Sequence, residues 1–325
     1  MEFASDRTRE SITDFFNSNT NANSLQSFRA LCNGIKASLI EMSVKALRKH
    51  CQISRLAILD VGSGKAGDIF KWSRHRPQRI IGLDISPDSV DVAKARFHAM
   101  LQQGRLSSPI EFHCTDCANT AFPVEDQSIS IISSQFSLQF FLDSEESLHH
   151  VIKEATRVLK PGGIFVGCFP DGDKISSVML NAAPDKVSHV IGHFLFRQFG
   201  ETMAALSADP PVGIPYTFAL GESESCLEYV AYSAYVEFAF SQQGFEGAFE
   251  NNVFSMDAQR FYVDNVSVQN TVRTLLGSRW CSSTDWETLT TFRVFLARKK
   301  KEQPPATEAK SQKRGKNSRS SKPSA

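Results

Sequence analysis

The chain has no run of eighteen apolar residues, so no membrane-spanning helix is expected. Its first residues, Met1 to Arg7, lack the apolar core of a secretory signal. The seven cysteines (Cys32, Cys51, Cys114, Cys117, Cys168, Cys226 and Cys281) form an odd, scattered set, which speaks for a reducing compartment and against a disulfide scaffold. Cys114 and Cys117 make a single C-x-x-C pair with no second pair at zinc spacing. Cys114 also closes an apolar strand pattern, so a structural role is expected there rather than metal or redox chemistry. No internal repeat is visible. No Ser-His-Asp or paired-carboxylate arrangement offers itself for proton transfer.

What is present is enough for one large domain: 325 residues, 41% of them hydrophobic. The net charge of +1 hides an asymmetry. From Arg298 to Ala325 there are ten basic residues against Glu302 and Glu308, a net +8, which leaves −7 for residues 1–297. That end is rich in Ser, Pro and Lys without apolar periodicity, so 299–325 is expected to be a disordered basic tail. Such a tail suits loose attraction to nucleic acid, a nuclear-import signal, or plain solubility. Residues 1–24 read as a flexible N-terminal arm and 25–298 as the folded domain.

Within the domain, strand and helix patterns alternate. Strands are expected at 56–61, 79–83, 110–114, 128–133 and 164–169. Helices are expected at 66–74 and from Pro87 to about Gln103, with Pro87 suited to a first helical turn. A further helix carries Leu148, Val151, Ile152, Ala155, Val158 and Leu159 on one face. Asp143 and Glu146 stand at capping-box spacing ahead of it, and Lys160-Pro161-Gly162-Gly163 ends it. This rhythm predicts an α/β fold, a mostly parallel seven-stranded sheet with helices on both faces. The rhythm changes after Pro170: residues 171–221 read as an insertion that walls a substrate site. Cys226–Gln242 reads as an aromatic-rich helix, and Phe245–Phe254 and Thr290–Ala297 as two late strands.

The most informative stretch is Asp60-Val61-Gly62-Ser63-Gly64-Lys65-Ala66-Gly67-Asp68, between the first strand and the first helix. Gly62, Gly64 and Gly67 spell the GxGxxG of dinucleotide sites. A pyrophosphate here would meet the carboxylate of Asp60 and be repelled. S-adenosylmethionine carries an ammonium and a sulfonium instead, and Asp60 suits both. Asp84, at the end of the second strand, has the placement of a carboxylate that accepts ribose hydroxyls. Asp116, after the third strand, is a candidate acceptor for the adenine amino group. Ligands bind outside the carboxyl ends of such strands, so Asp60, Asp84, Asp116 and Gln135 are expected to gather at one rim.

These residues resemble the mRNA cap guanine-N7 methyltransferases, a Rossmann-like class I family dependent on S-adenosylmethionine. The resemblance rests on Asp60–Asp68 with Lys71-Trp72, and on Asn33-Gly34-Ile35-Lys36, Ser134-Gln135-Phe136 and Pro161–Gly167. It continues in Tyr216-Thr217-Phe218, Cys226–Tyr229 and Trp286-Glu287, and so spans about 28–298. It implies that Lys36, Asp60, Gly62, Asp84, Asp116, Gln135 and Phe140 contact S-adenosylmethionine, with Lys36 at the methionine carboxylate. It likewise implies that Lys65, Lys71, Arg96, Gln139, Glu228 and Phe292 contact the cap. Of these, Lys65, Lys71 and Arg96 match positions beside the phosphates. Glu228 matches the residue that reads guanine, and an acceptor-only carboxylate suits N1–H and N2–H. The chain departs from the family pattern at Gln139-Phe140, where His-Tyr is usual, and at Phe292, where Tyr is usual. Both Phe rings can still stack on a base.

The implied reaction is in-line methyl transfer to guanine N7, which needs no general base because N7 already offers a lone pair; positioning would carry the catalysis. The implied partner is 5′-capped RNA, with other capping enzymes or RNA polymerase II beside it, in the nucleus, the chain acting as a monomer without a membrane. The chain has no Lys-x-Asp-Gly nucleotidyltransferase motif, so guanylylation is expected elsewhere. Three other readings stay open on the residues alone: methyl transfer to a small metabolite or lipid, cap binding without turnover, and a nicotinamide dehydrogenase.

Overall fold

The computed structural model describes residues 25–301, except 51–54, 105, 107, 184–185, 200–201, 203–205, 207–208, 210 and 221–224. The expected N-terminal arm and all but the first residues of the basic tail lie outside the described residues. No helix among the described residues is long and apolar enough to cross a membrane.

The chain opens with a 25-residue helix, α1 (Gln26–His50), which the strand-and-helix rhythm does not announce. Then follow β1 (Ala57–Val61), α2 (Ile69–Ser73), β2 (Arg79–Asp84), α3 (Pro87–Gln102), β3 (Ile110–Cys114) and β4 (Ile129–Gln135). α4 (Glu145–Val158) leads directly into β5 (Leu159–Pro170). These five strands are all parallel, in the spatial order β5-β4-β1-β2-β3. The order reverses between β1 and β4, and that is where an open α/β sheet leaves a crevice at the carboxyl ends of its strands.

Alternate strand residues feed two apolar layers. Ile58, Ile80, Ile131 and Val166 pack with Leu31, Ile35 and Leu39 of α1. Leu59, Ile81, Ile132 and Phe165 pack with Leu148, Val151 and Ile152 of α4 on the other face. Both faces of every central strand are therefore covered, which is why the strands read as nearly continuous apolar runs.

Several expected boundaries are corrected. The first helix begins only at Ile69, because Ala66 sits at φ +59 and the chain is still turning there. α4 is capped by Ser144, whose Oγ accepts from Ser147 N at 3.1 Å, and not by Asp143. Lys160–Gly163 does not separate helix from strand: β5 already starts at Leu159, and its register against β4 shifts between Ile129 and Ile131 to absorb the turn.

The insertion is larger and more regular than its Pro and Gly content implies. It holds α5 (Gly172–Leu180) and four antiparallel strands: β6 (Ser188–Ile191), β7 (Phe194–Gln198), β8 (Pro215–Leu220) and β9 (Cys226–Tyr229). The aromatic helix expected at Cys226–Gln242 is thus two elements, β9 and then α6 (Ser233–Gln242). Cys226 and Glu228 are buried while Leu227 and Tyr229 are half-buried, an alternation of period two.

The chain closes with β10 (Phe245–Gly247), β11 (Ser255–Asp257), α7 (Ala258–Val263), α8 (Val266–Leu276), α9 (Ser283–Leu289) and β12 (Phe292–Lys299). β12 lies antiparallel to β5 and carries β10 and β11 on its far side. Of the expected strand Phe245–Phe254 only Phe245–Gly247 forms, as β10; Asn251 and Asn252 both take φ +59 after it, and β11 begins only at Ser255. Among the described residues the main sheet therefore has eight strands, seven in one path and β11 as a short addition.

Candidate active site

A cavity of about 510 Å³ opens at the carboxyl ends of β1, β2 and β4. The glycine turn after β1 forms one wall. Gly62 N and Ser63 N both donate to Leu83 O, at 2.8 and 2.9 Å, which folds the turn back against β2. Gly62 has φ +70, and a Cβ on it would stand 2.3 Å from Cβ of Ser137, so no other residue fits. Ser137 Oγ in turn donates to Val61 O at 2.6 Å, which pins the 3-10 turn Leu138–Phe141 to the end of β1. At Gly64 a Cβ would meet nothing within 4 Å, so this part of the turn faces open cavity.

Asp84 hangs from the end of β2. Its Oδ2 accepts from Gly64 N at 2.7 Å and its Oδ1 from Ser86 N at 3.0 Å. Burial raises its pKa, against which these two amides act. Each oxygen keeps a lone pair for a ligand hydroxyl. Asp116, past β3, is oriented by Ala118 N on Oδ1 and Asn119 Nδ2 on Oδ2. Gln135 ends β4, and Phe136 beside it takes φ +61, a strained conformation for an aromatic residue that turns its ring into the cavity wall.

Asp60 lies at the floor, only 5% exposed. Burial and the neighbouring charge of Asp68 push its pKa up to about 7, against a hydrogen bond from Ser133. A ligand cation beside it would relieve that strain. Asp68 caps α2 by position, but its side chain makes no capping bond. Its carboxylate instead bridges two ammonium groups: Lys36 Nζ of α1 at 2.9 Å on Oδ2, and Lys71 Nζ on Oδ1. Burial alone would raise the Asp68 pKa, yet the two lysines hold it at about 2. Lys36 is raised above its ordinary value, Asp68 overcoming burial.

The structure thus brings Lys36, Asp60, Gly62, Asp84, Asp116, Gln135 and Phe140 to one cavity, and adds Lys65 and Arg96 at its edge. Arg96 reaches from α3 to Lys65 O at 2.8 Å. Four expected site residues do not line it. Lys71 is held by Asp68. Phe292 is fully buried, its ring 5.0 Å edge-on from Phe136, so it backs the wall rather than forming it. Gln139 and Glu228 are buried, and their chain neighbours Phe140 and Tyr229 line the cavity instead.

Glu228 stands on β9 at 4% exposure. Tyr216 Oη donates to its Oε2 at 2.7 Å, and Gln139 Nε2 to its Oε1 at 3.2 Å. Burial pushes its pKa up to about 7, with both donors pulling the other way. Gln139 Oε1 is buried and finds no hydrogen-bond partner among the described residues.

Sequence reasoning passed over Asp68 and Tyr229. Asp68 was visible as the last letter of the glycine motif, but its partners come from another helix. Tyr229 falls in an aromatic series at helical spacing, and only strand pairing turns it toward the cavity.

An open sheet with a glycine turn after its first strand and an acid at the end of its second defines a Rossmann-like α/β protein built to hold a nucleoside-bearing cofactor. Residues 8–300 match the family model of the mRNA (guanine-N(7))-methyltransferase domain, and the chain belongs to that family. It is similar to an mRNA cap guanine-N(7) methyltransferase of Caenorhabditis briggsae, 26% identical over 227 residues, which cover 69% of this chain and 59% of the relative. An mRNA cap guanine-N(7) methyltransferase 1 of Arabidopsis thaliana is 24% identical over 249 residues, 70% of this chain and 64% of the relative. The chain therefore spans about 59–64% of the length of these curated relatives. A solved S-adenosylmethionine-dependent methyltransferase from Clostridium acetobutylicum superposes with a TM-score of 0.49 at 13% identity, over 91% of this chain and 99% of that one.

The family implies S-adenosylmethionine as the cofactor. The residues fit it. Asp60 is a buried acid whose raised pKa calls for a cation, Lys36 offers a charge for a carboxylate, and Asp84 keeps free lone pairs over open cavity.

Proposed function

We propose that the chain transfers a methyl group to N7 of the guanine in the 5′ cap, GpppN, of messenger RNA. Supporting this above all is one cavity that joins buried acids for a cationic nucleoside, Asp60 and Asp84, to rim cations for phosphate, Lys65 and Arg96. S-adenosylmethionine, when bound, supplies an electrophilic methyl group on sulfur. Asp84 accepts from the ribose hydroxyls, Asp116 from the adenine amino group, and Asp60 faces the ammonium. Lys36, steadied by Asp68, meets the methionine carboxylate. Lys65 and Arg96 take the cap phosphates, and Lys71 lends charge from behind.

Glu228 reads the guanine through N1–H and N2–H when ionised. Because Glu228 is buried and does not line the cavity, reading the base requires a local opening beside it, with Phe140 or Tyr229 free to stack on the base. Gln139 then orients Glu228 in place of an imidazole, and Phe292 supports the wall through Phe136. No side chain has to move a proton, so the rate comes from holding N7 in line with the methyl carbon and from fixed dipoles around the moving charge. The substrate implies work on nuclear transcripts beside other capping enzymes or RNA polymerase II.

The test is incubation with GpppRNA and labelled methyl donor, followed by digestion and comparison with an N7-methylguanosine standard. Label at any other position, or in uncapped RNA alone, refutes the reading.

A further inference from the structure

Beyond the cavity, α1 and α2 run side by side away from its rim. At the cavity end Lys36 meets Asp68 at 2.9 Å. Further along, Glu41 meets Lys45 at 3.2 Å and His75 at 3.5 Å. The surface these helices share is basic: Lys45, Arg48 and Lys49 on α1, and Arg74 and Arg76 after α2, are all exposed. Lys45, Arg48 and Arg74 all bear electrostatically on the one imidazole of His75, whose pKa is lowered by burial first and by these three cations as well. Within 36–49 and 69–79 the only acid is Glu41. Residues 1–297 as a whole carry a net negative charge, so a row of five cations with one acid is a concentration and not the average surface.

The row is continuous with the site. Gly67 is exposed and lines the cavity, Phe70 one turn on is half-buried, and Arg74 follows one turn later. From Lys36 to Lys49 the helix rises about 20 Å. Arg76 carries its long side chain at φ +50, where glycine or asparagine would sit with less strain.

We infer that this row is the track for the body of the RNA: the nucleotides after the cap leave the cavity over Gly67 and Phe70, and their phosphates lie along Arg74, Arg76, Lys45, Arg48 and Lys49. The inference rests on the cap-methylation reading for the direction of the strand. Contacts of cations with phosphates carry no base information, so the track accepts any sequence. It adds affinity only for substrates long enough to reach it.

The test is the full chain carrying R48Q, R74Q and R76Q together, three exposed positions outside the cavity. Two readouts are taken: KM for a capped dinucleotide and for a capped RNA of about a dozen nucleotides, and fluorescence anisotropy of the same RNA uncapped, over a salt series. The basic tail is present in both proteins, so its contribution cancels. The track predicts that the variant loses about tenfold in affinity for the longer RNA. Its salt slope falls by about 2, three phosphate contacts at roughly 0.7 each, while KM and kcat for the dinucleotide stay unchanged. Unchanged long-RNA affinity and salt slope overturn the track and leave cap methylation standing. Loss of RNA affinity in a protein that methylates no capped substrate overturns the cap reading and leaves the track. An acidic peptide that binds the row where RNA does not also overturns it.

Discussion

Asp84 and Glu228 are both buried carboxylates of the site, held by different means. Asp84 accepts from two backbone amides, Gly64 N and Ser86 N. Glu228 accepts from two side chains, the Tyr216 hydroxyl on a neighbouring strand and the Gln139 amide from a turn 89 residues away. A backbone donor is present whatever the side chain, so Asp84 is positioned by the fold itself. A side-chain donor can be exchanged for any other of the same reach, and that is how Gln139 can stand where the family usually has histidine. Asp84 is fixed by the backbone of the glycine turn; Glu228 depends on the identity of two side chains.

The sharpest way to break this comparison is to change one acid at a time. Asp84→Asn turns an acceptor into a donor that faces an amide hydrogen. It should weaken S-adenosylhomocysteine binding about a hundredfold, or about 3 kcal/mol, by calorimetry. A loss below about threefold would show that Asp84 does not carry the ribose. Glu228→Gln should raise KM for the cap about thirtyfold, about 2 kcal/mol, and leave cofactor affinity alone. If either variant disturbs both ligands equally, the two halves of the site are not independent.

A smaller effect is the pH dependence. The Glu228 pKa is raised to about 7, so the neutral acid dominates below that and cannot accept from both guanine donors. KM for the cap should fall as pH rises through about 7. In the free protein the sign is opposite for stability: the contribution of Glu228 is greatest below its ordinary value of 4.5, is lost as pH rises to about 7, and is level above that. Tyr216→Phe removes a donor that favours the ionised form, and should move the KM profile to higher pH without moving cofactor affinity. A profile that stays in place would show that Tyr216 does not tune this acid.

The smallest effect should come from Phe292→Leu. The ring is buried against Phe136 and does not line the cavity. Thermal unfolding should report a loss of about 1–2 kcal/mol, with cap KM changed by less than about threefold. A larger KM change than this would put Phe292 at the substrate after all.

Much of the rim is legible in the sequence. Asp60, Asp84, Asp116 and Gln135 each end or follow a recognisable apolar strand, and parallel strands deliver their ends to one edge. The wall made by β9 is not. Tyr229, Tyr232 and Tyr235 recur at helical spacing, and four residues of strand are too few to show a period of two against that signal. The end of β10 at Gly247 is hidden for a related reason, since nothing in the apolar pattern marks the left-handed turn at Asn251 and Asn252 that precedes β11. α1 is legible by the same rule as α4, because Phe28, Leu31, Ile35 and Leu39 recur at helical spacing on its buried face; what the sequence lacks there is a glycine turn or a strand to mark its start.

What the sequence alone determined is the part ruled by local geometry: a glycine turn only Gly62 can make, and acids spaced to fall at the ends of consecutive strands. The partners of Asp68 and Glu228 were decided only by tertiary structure. Asp68 is 32 residues from Lys36, and Glu228 meets donors from β8 and from the turn after β4. Such contacts leave no periodic trace in the chain. They exist because helix and sheet packing brings distant side chains together, and because a buried charge must find partners where water is excluded.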